Sequence, residues 1–301
     1  MQKPDLRWQG YMLKHAMMGV GTKKQEIVDI ILKHNQYQRV VIAEQFQSEQ
    51  NLNLKEELKK ELSGSLQLLF SNAFEERYTF WAEQVHEAIK GSVKNEKNLI
   101  QLVLLMNDYD VQQVSLAYNT LYNRDLHEQI CDEISNVEWA KLLKAWLRRD
   151  NYIIYDPNAA ADELFQAAKG AGKDEGVFIR ILSTSNPESF QQICEYYQSK
   201  YGHTIYQSIE KEFTGLSEFA FLLAHEFLTN PAEAVAFVLN QSMKGTGTND
   251  TILIAVTLLY SELYKGETIK RAYIRFGDIK KDFKKDLTGK YEDTVLGLWG
   301  L

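Results

Sequence analysis

Apolar residues along this 301-residue chain recur at helical spacing rather than in alternation. In EIVDIILKH, residues 26–34, Ile27, Ile30 and Ile31 share one helical face, and in LKEELKKEL, residues 54–62, Leu54, Leu58 and Leu62 do the same. No stretch alternates convincingly as a strand. Pro157, Pro187 and Pro231 each follow Asp or Asn and precede Glu- or Ala-rich segments, which is the order of an N-cap and a first helical residue, while Pro4 lies in the tail. The pattern predicts an all-α chain.

The helical pattern is also a repeat. One motif reads HAMMGVGTKK at 15–24, HEAIKGSVKN at 86–95, FQAAKGAGKD at 165–174 and QSMKGTGTND at 241–250. A second reads ELSG at 61–64, EISN at 133–136, EFTG at 212–215 and DLTG at 286–289. The pairs Gly21 and Glu61, Val93 and Glu133, Gly172 and Glu212, and Gly247 and Asp286 are separated by 40, 40, 40 and 39 residues. Four units follow: a tail over 1–9, repeats over 10–75, 76–147, 159–229 and 230–301, and a linker over 148–158 between the second and third. Units of this size and composition are expected to bury apolar faces against their neighbours.

Each glycine motif follows an apolar helix, so it sits at a helix C-terminus, where the last carbonyls lack partners and the macrodipole is negative. Glycines permit the positive φ that turns several carbonyl oxygens toward one point. With a carboxylate returning from forty residues on, the loop offers hard oxygen ligands suited to calcium and leaves positions open for an outside oxygen. The P-loop pattern is not met, since FQAAKGAGKD lacks its first glycine and ends in Asp174; a dinucleotide loop would need a third glycine where KGTGTND has Asp250; and no EF-hand string occurs. In the first unit Thr22 and Gln25 read as a T-x-x-Q capping box.

Composition narrows the function further. A net charge of −7 argues against nucleic acid, and the lysines of KKDFKK, residues 280–285, read as a solvated helix face rather than a polybasic patch. The polar N-terminus and the short aliphatic runs give no leader or membrane span, so a cytosolic chain is expected. Cys131 and Cys194 make no disulfide framework and read as buried reduced thiols. The six histidines show no metal spacing, no nucleophile elbow occurs, and catalysis has no visible support. Trp8, Trp81, Trp139, Trp146 and Trp299 read as packing residues.

Four units carrying an M-K-G-x-G-T-like loop, each followed by [DE]-x-[ST]-G, resemble the annexin family over nearly the whole chain. The resemblance implies five short helices per repeat, four repeats forming a curved disc, and calcium-dependent binding to acidic phospholipids such as phosphatidylserine, without enzymatic activity. Carried over residue by residue, it implies calcium ligands at the carbonyls of Met17, Gly19 and Gly21 with Glu61; at Ala168, Gly170 and Gly172 with Glu212; and at Met243, Gly245 and Gly247 with Asp286. The third set has Lys173 in place of Thr, which adds a nearby positive charge and implies weaker binding. The second unit keeps Gly91 and Glu133, but Val93 replaces a glycine, Lys94 the Thr and Asn136 the last glycine. A β-branched residue resists positive φ, so an empty or very weak site is expected there.

The arginine usual near the end of the second helix of such repeats is missing from ILKHN, LLMNDY, ILSTSN and LLYSEL. With the short tail, this resembles the protist alpha-giardins, which are linked to the cytoskeleton with variable calcium dependence. The expected place is therefore the cytosolic face of a membrane, with a cytoskeletal scaffold as the alternative role.

Overall fold

The computed structural model describes residues 3–18, 21–91, 94–148, 152–169 and 174–301. Among them the regular structure is helical, with no strand, as the apolar spacing predicts. Twenty helices run in four successive groups of five. The first group is α1 (Arg7–Met17), α2 (Lys24–Lys33), α3 (Gln36–Gln50), α4 (Leu54–Glu61) and α5 (Gly64–Asn72). The second is α6 (Arg77–Ile89), α7 (Glu96–Leu104), α8 (Asp108–Tyr122), α9 (Leu126–Glu133) and α10 (Glu138–Trp146). The third is α11 (Pro157–Lys169), α12 (Glu175–Thr184), α13 (Pro187–Tyr201), α14 (Ile205–Glu212) and α15 (Gly215–Thr229). The fourth is α16 (Pro231–Ser242), α17 (Asp250–Tyr264), α18 (Glu267–Tyr273), α19 (Ile279–Asp286) and α20 (Gly289–Trp299).

The repetition reaches individual caps. In the first three groups the third helix starts on an asparagine, Asn35, Asn107 or Asn186, whose side chain accepts from the backbone N–H three residues on. That helix then ends on a left-handed residue, Asn51 (φ 53°), Asn123 (φ 52°) or Gly202 (φ 74°). The fourth helix of every group is capped at once by Asn53, Asp125, Thr204 or Asp278. Joints of three residues in the first three groups and five in the fourth turn the chain into a capped helix start. The Asp-Pro and Asn-Pro sites open α11, α13 and α16 as expected.

The helices cluster into two compact units, one of residues 1–81 with 238–301 and one of residues 82–237. In the first, the two ends of the chain share a core. The indole N–H of Trp299 donates to Thr257 Oγ1 at 3.0 Å, and the ring of Trp81 meets Tyr260 edge-on with centroids 5.8 Å apart. Helix α20 approaches α2 so closely at Gly297 that a Cβ there would lie 2.5 Å from Leu32 Cδ1, so any larger residue would have to push the Leu32 side chain aside. Arg39, 2% exposed, spans three elements of this unit: its guanidinium donates to the carbonyls of Ala73 and His34, both at 2.7 Å, and pairs with Glu262 of α17 at 3.2 Å. Burial lowers the pKa of Arg39 and Glu262 opposes that shift. Removing this guanidinium would strand buried carbonyls and is expected to cost about 1–3 kcal/mol.

In the second unit Trp146 is fully buried, stacks edge-on against Phe227 and donates its N–H to the carbonyl of Met106 at 3.0 Å. Phe178, Phe213 and Phe221 form an aromatic cluster in the same unit, with centroids 4.5–6.1 Å apart. The described residues of the linker, 148 and 152–158, belong to this unit.

Two sequence expectations change. Trp81, Trp139, Trp146 and Trp299 are buried, but Trp8 is 71% exposed, because it lies on the outer side of α1, whose inner side is Gly10, Leu13 and Ala16. Cys131 and Cys194 are free thiols that are only partly buried by residue. The Cys194 sulfur is nonetheless desolvated enough to push its pKa up to about 12. The lysines of the 280–285 segment are exposed, as read from the sequence.

Candidate cation loops at paired helix ends

All four acids of the second motif are the last residue of a helix: Glu61 ends α4, Glu133 ends α9, Glu212 ends α14 and Asp286 ends α19. The residue that follows, Leu62, Ile134, Phe213 or Leu287, is buried and sends its N–H back one turn, which fixes the acid at the rim. A carboxylate at a helix C-terminus adds negative charge where the dipole is already negative, an unfavourable placement unless a cation answers it.

The glycine loops start from a second helix end. Each is closed by an N–H that returns seven residues: Lys23 to the Ala16 carbonyl at 2.9 Å, Asn95 to Ala88 at 2.9 Å, Asp174 to Ala167 at 3.4 Å and Asn249 to Ser242 at 2.7 Å. This bond sets one loop size in all four groups. In the first, second and fourth groups the residue before it faces the acid. Thr22 Oγ1 lies 3.3 Å from Glu61 Oε2 and Thr248 Oγ1 lies 3.3 Å from Asp286 Oδ2. The expected Thr22 and Gln25 capping box does not form. The Thr22 hydroxyl is spent on Glu61, Gln25 bonds Asp29 at 2.8 Å, and α2 starts from Lys23 without a side-chain cap.

The fourth loop is described in full. Met243, Gly245, Gly247 and Asp286 line one open cavity of about 530 Å³, with Asn240, Tyr273 and Asp282 at its side. Gly245 and Gly247 hold φ of +107° and +101°, and a Cβ on either would meet nothing within 4 Å. Backbone conformation, not crowding, is what requires glycine there. Tyr273 donates to Asp282 at 2.8 Å and Asn240 to Tyr273 at 3.2 Å, so Asp282 is partly committed. Lys244 and Lys285 stand at the same rim.

In the first loop Met17 is the last residue of α1, Gly21 has φ of +89°, and Thr22 brings that end to Glu61; Gly19 lies outside the described residues. In the third, Ala168 is near the end of α11 and Glu212 ends α14 beside Lys211 at 3.3 Å, while Gly170, Gly172 and Lys173 lie outside the described residues. The second loop differs. The Lys94 ammonium donates to Glu133 Oε2 at 2.5 Å and to the carbonyl of Ile89, the last residue of α6, at 2.6 Å. The Lys94 hydrogen bond, with its charge, lowers the Glu133 carboxyl from its ordinary value of 4.5. Asn136 also replaces the glycine that opens α5, α15 and α20 at φ 61–64°, and α10 starts two residues late, at Glu138. Val93 is outside the described residues.

Among the described residues no three His, Cys, Asp or Glu side chains gather to hold a metal ion. A cation in these loops would therefore draw on backbone carbonyls together with one or two carboxylates, Asp286 with Asp282 at its side in the fourth loop. That hard, all-oxygen set in an open cavity fits calcium. No helix among the described residues is long and apolar enough to cross a membrane.

Four five-helix groups with paired helix ends define an all-α repeat protein with oxygen-lined loops. The Annexin family model matches residues 10–71, 80–144 and 159–223, and the chain belongs to the annexin family. It is 31% identical to annexin A8 of Oryctolagus cuniculus over 96% of this chain and 90% of that protein. It is 26% identical to annexin A7 of Dictyostelium discoideum over 98% of this chain, and spans 65% of that longer relative. The solved calcium-bound alpha-14 giardin superposes with a TM-score of 0.87 at 26% identity, covering 98% of each chain. Annexins in general are non-enzymatic proteins that bind phospholipid in a calcium-dependent way.

Proposed function

We propose that this chain is a peripheral membrane-binding protein that attaches to anionic phospholipid, such as phosphatidylserine, when calcium occupies its glycine loops. The observation that carries the reading is the fourth loop, where Met243, Gly245, Gly247 and Asp286 line one open cavity at a helix C-terminus. The residues that would hold the ion are the carbonyls of Met243, Gly245 and Gly247 with Asp286, and those of Met17, Gly19 and Gly21 with Glu61. Ala168, Gly170 and Gly172 with Glu212 form the third, weaker set. Calcium, when bound, supplies positive charge and open coordination positions for a phosphate oxygen.

The chain's own part is to hold the donors apart from competing partners and at the surface. Asp286 is the end residue of its helix, and its listener on the loop is a neutral hydroxyl, Thr248 at 3.3 Å, so its charge stays available. Thr246, exposed between the two glycines, would lie against headgroups. The net charge of −7 works against approach to an anionic leaflet, a repulsion that a bridging cation would offset. Several weak loops on one chain then strengthen one another by raising effective concentration.

The test is sedimentation with phosphatidylserine liposomes in calcium and in chelator, for the protein and for Glu61→Gln combined with Asp286→Asn. Calcium-dependent pelleting lost in the double variant is the expected result. Pelleting unchanged in that variant would discard the ligand assignment, and co-sedimentation with filaments in chelator would favour a cytoskeletal scaffold instead.

A further inference from the structure

The second loop is built to the same frame as the first and fourth, with the same backbone closure and an acid at the same helix end, yet it holds a charge of its own. Lys94 occupies the position of Thr22 and Thr248, directly before the residue whose N–H closes the loop. Its ammonium reaches both poles of the site at once, Glu133 at 2.5 Å and the C-terminal carbonyl of α6 at 2.6 Å. The threonines reach an acid only through a neutral hydroxyl at 3.3 Å. The Lys94 side chain is 19% exposed and that of Glu133 38%, so the pair is part-buried rather than free on the surface.

We infer that the Lys94 ammonium is the resident cation of the second loop, filling the place that calcium takes in the others and keeping calcium out. A carboxylate and a carbonyl at two helix ends offer the negative potential that favours any cation, and a tethered one is present at a high effective concentration. Calcium would have to displace two short charge-assisted hydrogen bonds and then share the loop with a like charge. The significance is not stability, since a half-exposed ion pair of this kind contributes little to folding. It is stoichiometry and control: the second loop is charge-neutralised at every calcium concentration and cannot be stripped by a chelator. This deepens the calcium reading of the other loops and depends on it only for the exclusion of calcium, not for the pairing itself.

Two measurements separate those parts. Calcium stoichiometry by titration calorimetry is compared for the protein, Val93→Gly, and Val93→Gly with Lys94→Thr. Repairing the backbone alone should leave the number of bound ions unchanged, and removing the ammonium as well should add one. An added ion in Val93→Gly alone, or none in the double variant of a protein that binds calcium elsewhere, overturns the proposal. In parallel, amine acetylation in chelator is followed by mass spectrometry, with exposed Lys244 as the internal reference. Lys94 should react at least ~10-fold more slowly than Lys244 and speed up about fivefold or more in Glu133→Gln, as expected for a charge-assisted bond. Equal rates at the two lysines, with no response to Glu133→Gln, overturn the pairing. Should the protein bind no calcium at all, the calcium reading falls and the acetylation result alone decides whether Lys94 is the resident cation.

Discussion

The loop after α6 and the loop after α16 share a backbone closure and differ in what answers the acid. Both close with an N–H returning seven residues, at 2.9 and 2.7 Å, and both face a carboxylate that ends a short helix. In one the partner is the Lys94 ammonium at 2.5 Å, in the other the Thr248 hydroxyl at 3.3 Å. A repeated fold thus fixes where negative charge accumulates, while one side chain decides whether the molecule neutralises it internally or leaves it for a cation from solution. The backbone closure and the partner of the acid are separate properties, and repeats can keep the first while changing the second.

The largest expected effect comes from removing the charge where it is left open. Glu61→Gln with Asp286→Asn should raise the calcium needed for half-maximal liposome binding by about 100-fold or abolish it, roughly 2.8 kcal/mol or more at about 1.4 kcal/mol per decade. Moving the second loop's solution into the fourth comes next. In Thr248→Lys the new ammonium should pair with Asp286 and raise the calcium requirement about tenfold, measured by the same sedimentation titration. An unchanged titration there would mean that the lysine does not compete, and the contrast between the loops would lose its cause.

Gly247→Val tests the backbone instead of the charge. At φ of +101° a β-branched residue is strained, so the fourth loop should weaken severalfold in calcium while the whole protein loses about 1–3 kcal/mol in denaturant unfolding. Wild-type calcium response with that stability loss would show that the loop reaches its ligand geometry without positive φ. The smallest effect is expected at Glu133→Gln, which should shift the calcium requirement less than about twofold, because that carboxylate is already answered by Lys94.

Much of this was legible in the chain because it is repetitive. Periodicity such as Ile27, Ile30 and Ile31 marks helices, Asn-Pro and Asp-Pro mark their starts, and the forty-residue register of loop and acid survives in all four groups. The ends of α4, α9, α14 and α19 at the acid follow from that register. What stayed hidden are partnerships between single residues. Thr22 has the spacing of a cap but donates to Glu61, since the loop closure turns it away from α2. Lys94 looks like damage to a motif when read alone, and its partner Glu133 is visible only as the same 39-residue separation that links Thr22 to Glu61. Arg39 carries no motif at all, and its buried role depends on carbonyls and a glutamate far away in sequence. Trp8 reads as core because it is aromatic, although its side of α1 faces outward.

The most direct measurement is sedimentation of the purified protein with phosphatidylserine liposomes across a calcium titration, ended by addition of chelator. Pelleting that rises with calcium and reverses with chelator is the result expected from open carboxylates at Glu61 and Asp286. Pelleting that ignores calcium, or none at millimolar calcium, would contradict the assignment of these loops as cation sites.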